Sequence, residues 1–205
     1  MLSALIANQS PKLLVTVPSD SLREQISNKF ISLGLLKKFG IVGANSLYPI
    51  VGIIKTGFAS LQHLTDFLDK CNVVVTTMNI LTGCPTEQQE KIAEVFSQIF
   101  IDEAHHVKAA SWNALKNKFA PEKVTQFTAT PFRNDGKRLD GKIIFNFPLK
   151  LAQQQGYFTK IDFIAIREYD LTAGDKIIAD TAVTKLREDI AKNYNHILMA
   201  RCNSK

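Results

Sequence analysis

The stretch Ile99–His106 constrains the fold most, because a short apolar run there ends abruptly in two carboxylates and two histidines. An apolar run of this length, bounded by polar residues, is typical of a strand buried on both faces of a parallel sheet. Ligand sites in such sheets lie at the carboxyl ends of the strands, where Asp102 and Glu103 would emerge. The pattern predicts an α/β protein with two carboxylates at the ligand-binding edge of its sheet.

Two adjacent carboxylates at such an edge suit metal-assisted phosphoryl chemistry. One can hold Mg²⁺, directly or through water, while the other orients or deprotonates an attacking water molecule. The alternative is a cluster of solvated polar residues, which is the commoner explanation for two acids after a strand. The order Asp102-Glu103-Ala104-His105 reverses that preference.

That order resembles motif II, the Walker B element, of superfamily 2 helicases of the DEAD/DEAH type. Three further segments stand in the order of that family and cover, with motif II, roughly the first two-thirds of the chain. Leu13–Gln25 resembles motif Ia, Val73–Thr77 lies where motif Ib is found, and Thr128–Thr130 resembles motif III. Residues 131–137 resemble the branch that includes the helicase subunit of type III restriction enzymes.

The resemblance implies a RecA-like P-loop NTPase fold, with a mostly parallel sheet and helices on both faces. Residues 1–150 would form the first RecA-like domain, and residues 151–205 the connection and the beginning of the second. The sequence contains no complete G-x-x-x-x-G-K-[ST] phosphate loop, and the glycine pair Gly52 and Gly57 has the spacing but is followed by Phe58. We therefore expect a fragment that begins after the Walker A loop and stops before the second domain is complete.

For the full-length protein, the resemblance implies an ATP-dependent helicase or translocase that uses ATP and Mg²⁺. Asp102 would position Mg²⁺ and Glu103 would activate water, so both belong to the nucleotide site. His105, Thr128 and Thr130 would link the nucleotide state to strand movement. Without a phosphate cradle, these 205 residues alone should bind and hydrolyse ATP poorly.

Five residues are candidate contacts to a nucleic-acid backbone. The motif Ia turn contributes Pro18, Ser19 and Arg23, because backbone amides at a helix N-terminus are well suited to phosphates. The motif Ib segment contributes the hydroxyls of Thr76 and Thr77. Helix capping is the alternative for Ser19 and for the two threonines, and a solvated helix surface is the alternative for Arg23.

The composition fits a globular protein with a polyanionic partner. The formal net charge of +6 and a pI near 9.2 favour nucleic acid as a partner. The family resemblance favours DNA over RNA, while the residues themselves leave both open. No apolar run approaches the roughly 20 residues that span a bilayer, so no membrane partner is expected. Cys71, Cys84 and Cys202 form no CxxC pair, which argues against a disulfide framework or a zinc site and fits the cytoplasm.

Periodicity predicts the remaining elements. Trp112 is interpreted as a packing residue rather than a base-stacking one. We expect strands over residues 143–147, 160–166 and 196–201, and helices over residues 1–8, 61–68, 87–96, 109–119, 149–155 and 182–194.

Two functions other than the motor stay open. A non-catalytic module could hold nucleic acid or a partner protein on its basic surface. Salt-sensitive DNA binding would fit both this module and the enzyme, because backbone contacts dominate that dependence. A structural or regulatory remnant that binds neither ligand is the least favoured alternative.

Overall fold

The protein is known from a computed structural model, which divides the chain into two compact units, Met1–Lys142 and Ile143–Lys205. The predicted domain boundary after residue 150 remains a prediction. The predicted helix over residues 1–8 lies outside the described residues. The structure describes residues 12–106, 110–131, 139–158, 164–167 and 173–199.

The described part of the first unit is built on a five-stranded parallel sheet with strand order β2-β3-β1-β4-β5. The central strands are short runs of buried aliphatic residues, as expected for a sheet covered on both faces. The predicted α/β class is thereby confirmed. The strands are β1 (Leu13–Val17), β2 (Val51–Ile53), β3 (Val73–Thr77), β4 (Gln98–Ile101) and β5 (Val124–Gln126).

Serine side chains cap the N-termini of two helices in this unit. Ser19 and Ser60 are the N-caps of α1 and α3, and each side-chain oxygen accepts a backbone N–H three residues further on. The predicted helices over residues 61–68, 87–96 and 109–119 are confirmed within a few residues at their ends. The helices are α1 (Asp20–Ser32), α2 (Gly34–Lys38), α3 (Leu61–Asp69), α4 (Met78–Thr82), α5 (Thr86–Val95) and α6 (Ala110–Lys116), with 3₁₀ turns at Ala104–His106 and Pro121–Lys123.

Two hydrophobic layers cover the two faces of the sheet, as predicted. Alternate residues of each strand point to opposite faces, so Leu14 joins one layer while Leu13 and Val15 join the other. Side chains of α3, α4, α5 and α6 complete the first layer. Phe30 of α1 and Leu36 of α2 complete the second. None of the helices in the described part of the chain is long and apolar enough to cross a membrane.

Gly52 on β2 is required by close packing. A Cβ atom at this position would lie 2.6 Å from Cys71 Sγ and 2.7 Å from Phe67 Cζ, inside van der Waals contact. Gly52→Ala should therefore lower the free energy of unfolding by roughly 1–3 kcal/mol. Urea denaturation measures the loss, and Gly57→Ala is the matched control because nothing lies within 4 Å of its added Cβ. Equal stability of the two variants would contradict this packing.

The second unit contains two described helices, α7 (Leu149–Gln154) and α8 (Gly174–Ala191). Helix α8 begins eight residues before the predicted start of 182. The strand prediction for residues 143–147 was wrong, because these residues form no strand and are exposed. The described parts of the other two predicted strands, residues 164–166 and 196–199, are likewise not strands. Their remaining residues lie outside the described part of the chain.

Candidate active site

The residues after β4 are held between the two neighbouring strands. The N–H of Asp102 donates to the carbonyl of Thr16 at 2.9 Å, which extends the β1–β4 ladder by one residue. On the other side, the N–H of Phe127 donates to the Ile101 carbonyl at 2.8 Å, and the N–H of Ala104 donates to the Phe127 carbonyl at 3.0 Å. Backbone hydrogen bonds therefore fix this turn at the carboxyl edge of the sheet, where ligands of parallel sheets bind.

The Asp102 carboxylate is half-buried at this edge. Its Oδ1 accepts the N–H of Glu103 at 3.1 Å. Burial raises the pKa of Asp102 above its ordinary value, and the charge of Glu103 adds to the rise while the hydrogen bond from Glu103 N–H opposes it. A partly desolvated carboxylate next to a second one is stabilised by a cation, so the pair fits a hydrated Mg²⁺.

Glu103 has a left-handed backbone conformation, with φ at 49°. For a residue other than glycine this conformation costs about 1 kcal/mol or more, and such strain gathers at functional sites. The turn places Glu103 Oε2 3.2 Å from His105 Nδ1. The residue with the strained backbone, Glu103, is therefore also the residue whose side chain contacts His105.

His105 joins the turn after β4 to the segment that follows β5. Its Nδ1 lies 3.1 Å from Thr128 Oγ1, and Thr128 Oγ1 accepts the N–H of Thr130 at 3.0 Å. The structure therefore brings together Asp102, Glu103, His105 and Thr128, while Thr130 contributes its backbone and has an exposed position.

The five nucleic-acid candidates divide into two groups. Pro18 and Ser19 are accessible at the turn after β1, and Ser19 also caps α1. Arg23 is 5% exposed, and its Nη1 donates to Asp20 Oδ1 at 2.7 Å. Thr76 and Thr77 are buried: Thr76 Oγ1 donates to the Ile54 carbonyl at 3.2 Å, while Thr77 Oγ1 accepts the Ile80 N–H and caps α4.

The sequence analysis did not identify the hydrogen bonds by which residues 139–140 hold the segment around Thr128–Pro131. The N–H of Leu139 donates to the Pro131 carbonyl at 3.1 Å, and Gln126 Nε2 donates to the Asp140 carbonyl at 3.0 Å. The Asp140 carboxylate forms an ion pair with Lys116, whose side chain is only 8% exposed. No motif marks this ion pair, because its partners are 24 residues apart in the chain.

Asp140→Asn should destabilise the first unit by roughly 0.5–1 kcal/mol near neutral pH, a modest amount because water screens the largely exposed carboxylate. The hydrogen bond from Lys116 holds the pKa of Asp140 below its ordinary value. The stabilisation is therefore present above the unfolded-state pKa of about 3.9 and is lost as the pH falls through the lower folded-state pKa. Urea unfolding at neutral and acid pH measures the difference, with the exposed Asp175→Asn as control. A penalty that does not shrink in acid would contradict the ion pair.

Comparisons with known proteins place the chain in a family. Residues 1–133 match the family model described as the type III restriction enzyme, res subunit. Among curated proteins, no sequence matches the chain significantly.

Two solved structures are similar to this chain. The UvsW helicase from bacteriophage T4 is 19% identical with a TM-score of 0.39, and the match covers 63% of this chain and 40% of that one. The Hef helicase domain from Pyrococcus furiosus is 16% identical with a TM-score of 0.41, and the match covers 83% of this chain and 34% of that one. This chain thus matches well under half the length of either protein. On the family match, which spans more than half of its residues, the chain belongs to the family of the type III restriction enzyme res subunit.

Proposed function

We propose that this chain supplies the metal and water side of the ATP site in an ATP-dependent helicase or translocase. The observation that carries the proposal is the contact chain from Glu103 through His105 to Thr128, beside the half-buried Asp102. Family membership supports a helicase-like, ATP-dependent activity. The contacts of Asp102, Glu103 and His105 support the roles that we propose for them.

Asp102 is proposed to hold Mg²⁺, directly or through water, and Glu103 to accept the proton of the attacking water. When bound with ATP, Mg²⁺ would neutralise charge on the phosphates. Glu103 is a suitable base because its side chain is partly exposed beside the sheet edge while its backbone is fixed by the Asp102 contact. Both side chains extend from the turn that the strand ladders hold in place.

His105 is proposed to connect hydrolysis to movement of the Thr128–Thr130 segment. A proton on Nδ1 lets the ring donate to Glu103 Oε2, whereas an unprotonated Nδ1 accepts the hydroxyl proton of Thr128. The position of one proton therefore selects which partner His105 binds. A change of charge at Glu103 during the reaction would be transmitted to Thr128 by this selection.

The nucleic-acid strand, with DNA favoured over RNA, is proposed to pass the same edge of the sheet at Pro18 and Ser19. This turn is accessible, and the 13-residue helix α1 starts immediately after it. Arg23 and Thr77 would act by shaping the edge, since their side chains are engaged with Asp20 and with the first turn of α4. The buried free thiols of Cys71 and Cys84 fit a protein of the reducing cytoplasm.

The 205 residues alone are proposed to be a poor ATPase, because their sequence contains no phosphate loop. The test is isothermal titration of Mg²⁺ and a non-hydrolysable ATP analogue into this chain and into the full-length protein. We expect the full-length protein to bind at least about 100-fold more tightly, since several charge-assisted hydrogen bonds are at stake. Tight binding by the 205 residues would contradict the proposal that they hold only part of the ATP site.

A second candidate is the non-catalytic nucleic-acid-binding or partner-binding module, which the net charge of +6 favours. The same titration separates the two functions. If the full-length protein also fails to bind the nucleotide analogue, the motor function is wrong and the binding module takes its place.

A further inference from the structure

The first unit has a long stretch without acidic residues that the proposed ATP site does not use. Residues 25–65 contain no aspartate or glutamate, while Lys29, Lys37, Lys38 and Lys55 all lie within them. Lys55 is ion-paired with Glu24 at 2.9 Å, whereas Lys37 and Lys38 are adjacent in the last turn of α2, so positive potential is concentrated there. Positive potential on a folded surface attracts polyanions.

The middle of this stretch lies at the amino edge of the sheet, opposite to Asp102. Helix α1 starts after the carboxyl end of β1 and runs back, so α2 and the loop of residues 39–50 follow at the amino edge. Two contacts fix the loop there: the N–H of Ile41 donates to the Leu36 carbonyl at 2.9 Å, and the N–H of Ile50 donates to Asn72 Oδ1 at 2.9 Å. Asn72 immediately precedes β3.

Two lysine–aromatic pairs stand on this edge and define what we call the amino-edge surface, formed by Lys37, Lys38, Phe39 and Tyr48. Lys37 Nζ donates to the Tyr48 hydroxyl at 2.6 Å and lies 3.9 Å from the ring centroid. Lys38 Nζ lies 5.9 Å from the ring centroid of Phe39. Phe39 is 70% exposed and Tyr48 is 58% exposed, so both rings have accessible area.

Exposed aromatic rings beside cations are the features by which proteins hold single-stranded nucleic acid. A base stacks on an aromatic ring, and this contact tolerates any sequence because every base has a π face. A lysine beside the ring meets the phosphate of the same nucleotide. An acidic, apolar protein segment is the competing ligand, since Leu47 and Ile50 are exposed nearby. The pairing of each ring with its own lysine favours the nucleic acid.

We propose that the amino-edge surface binds a segment of single-stranded nucleic acid, with bases stacked on Phe39 and Tyr48 and phosphates held by Lys37 and Lys38. This contact lies on the edge opposite to the ATP site and needs neither nucleotide nor Mg²⁺. The proposed contact can therefore be tested independently of the proposed helicase function. It would hold a second stretch of the strand away from the Pro18–Ser19 turn.

The experiment is fluorescence anisotropy of a labelled 20-nucleotide oligo(dT) with the 205-residue chain, in EDTA and without nucleotide. The double variant Phe39→Leu and Tyr48→Leu keeps apolar bulk but removes both rings, and it should weaken binding at least about tenfold. The double variant Lys37→Gln and Lys38→Gln should lower the slope of log affinity against log salt by about 1.4, at roughly 0.7 for each lost phosphate contact.

The control removes two positive charges elsewhere, by Lys176→Gln on α8 and Lys192→Gln at its C-cap. It should leave the affinity within about twofold if the effect is local rather than one of net charge. Far-UV circular dichroism confirms that each variant is folded. Photo-cross-linking of an oligonucleotide that carries 5-iodouracil should map to Phe39 or Tyr48. Wild-type affinity of the ring variant, or cross-links confined to other residues, would overturn the proposal and leave the protein ligand as the alternative.

Discussion

Glu103→Gln is expected to reduce ATP hydrolysis by the full-length protein by roughly 10²–10⁴-fold, the usual contribution of a positioned general base. The amide is the same size as the carboxylate but cannot accept the proton of water. It can keep the left-handed backbone of residue 103 and the N–H contact to Asp102 Oδ1 at 3.1 Å. Nucleotide binding should therefore stay within about threefold while the chemical step is lost.

Single-turnover hydrolysis and nucleotide titration measure the two effects separately. Glu94→Gln is the matched control, because Glu94 is an exposed glutamate on α5 whose partner Lys91 lies on the same helix. The control should leave both quantities unchanged. Hydrolysis by the Glu103 variant at the wild-type rate would contradict the assigned role, since another group would then be activating water.

Leu14→Ala should lower the free energy of unfolding by roughly 2.7–5 kcal/mol, as found for leucines removed from well-packed cores. Leu14 is fully buried on β1, the central strand, and pairs with Val74 on one side and Ile99 on the other. Strands anchored on both sides cannot collapse into the space that the side chain leaves. The cavity should therefore persist, which places the cost toward the upper part of that range.

Urea denaturation of the 205-residue chain measures this loss. Leu47→Ala is the control, because Leu47 is 92% exposed and should change stability by less than about 0.5 kcal/mol. A loss below about 1 kcal/mol for the Leu14 variant would show that the central strand is not packed as described.

The parallel sheet was predictable because its strands are short apolar runs that end in polar residues. Burial on both faces demands continuous aliphatic residues, and β1, β3 and β4 all show them. Parallel strands also present their carboxyl ends at one edge. The turn after β4 and the segment after β5 therefore lie at the same edge, where His105 Nδ1 is 3.1 Å from Thr128 Oγ1.

The finer state of the site depends on contacts that a linear pattern does not contain. Arg23 is buried by packing between elements, and the hydrogen bond from Thr76 Oγ1 to the Ile54 carbonyl also joins separate elements. The left-handed backbone at Glu103 follows from the hydrogen bonds that hold its turn between β1 and β5. The ion pair of Lys116 with Asp140 joins residues distant in sequence.

The strand predictions in the second unit failed for a related reason. Residues 143–147 are rich in isoleucine and phenylalanine, which favour strands only where a neighbouring strand and a packed face are present. In the described part of the chain these residues are exposed and form no ladder. Phe145 stacks on Phe147, and Phe147 meets Tyr157 edge to face, so local ring contacts take the place of sheet pairing.

The most direct test of the central claim is the effect of Mg²⁺ on nucleotide affinity in the full-length protein and in its Asp102→Asn variant. Isothermal titration with a non-hydrolysable ATP analogue, with and without Mg²⁺, gives four affinities and hence the coupling between the ion and Asp102. If Asp102 holds the ion, Mg²⁺ will tighten binding to the wild-type protein and will do so far less in the variant. An equal gain from Mg²⁺ in both proteins would contradict the assignment of the metal site to Asp102.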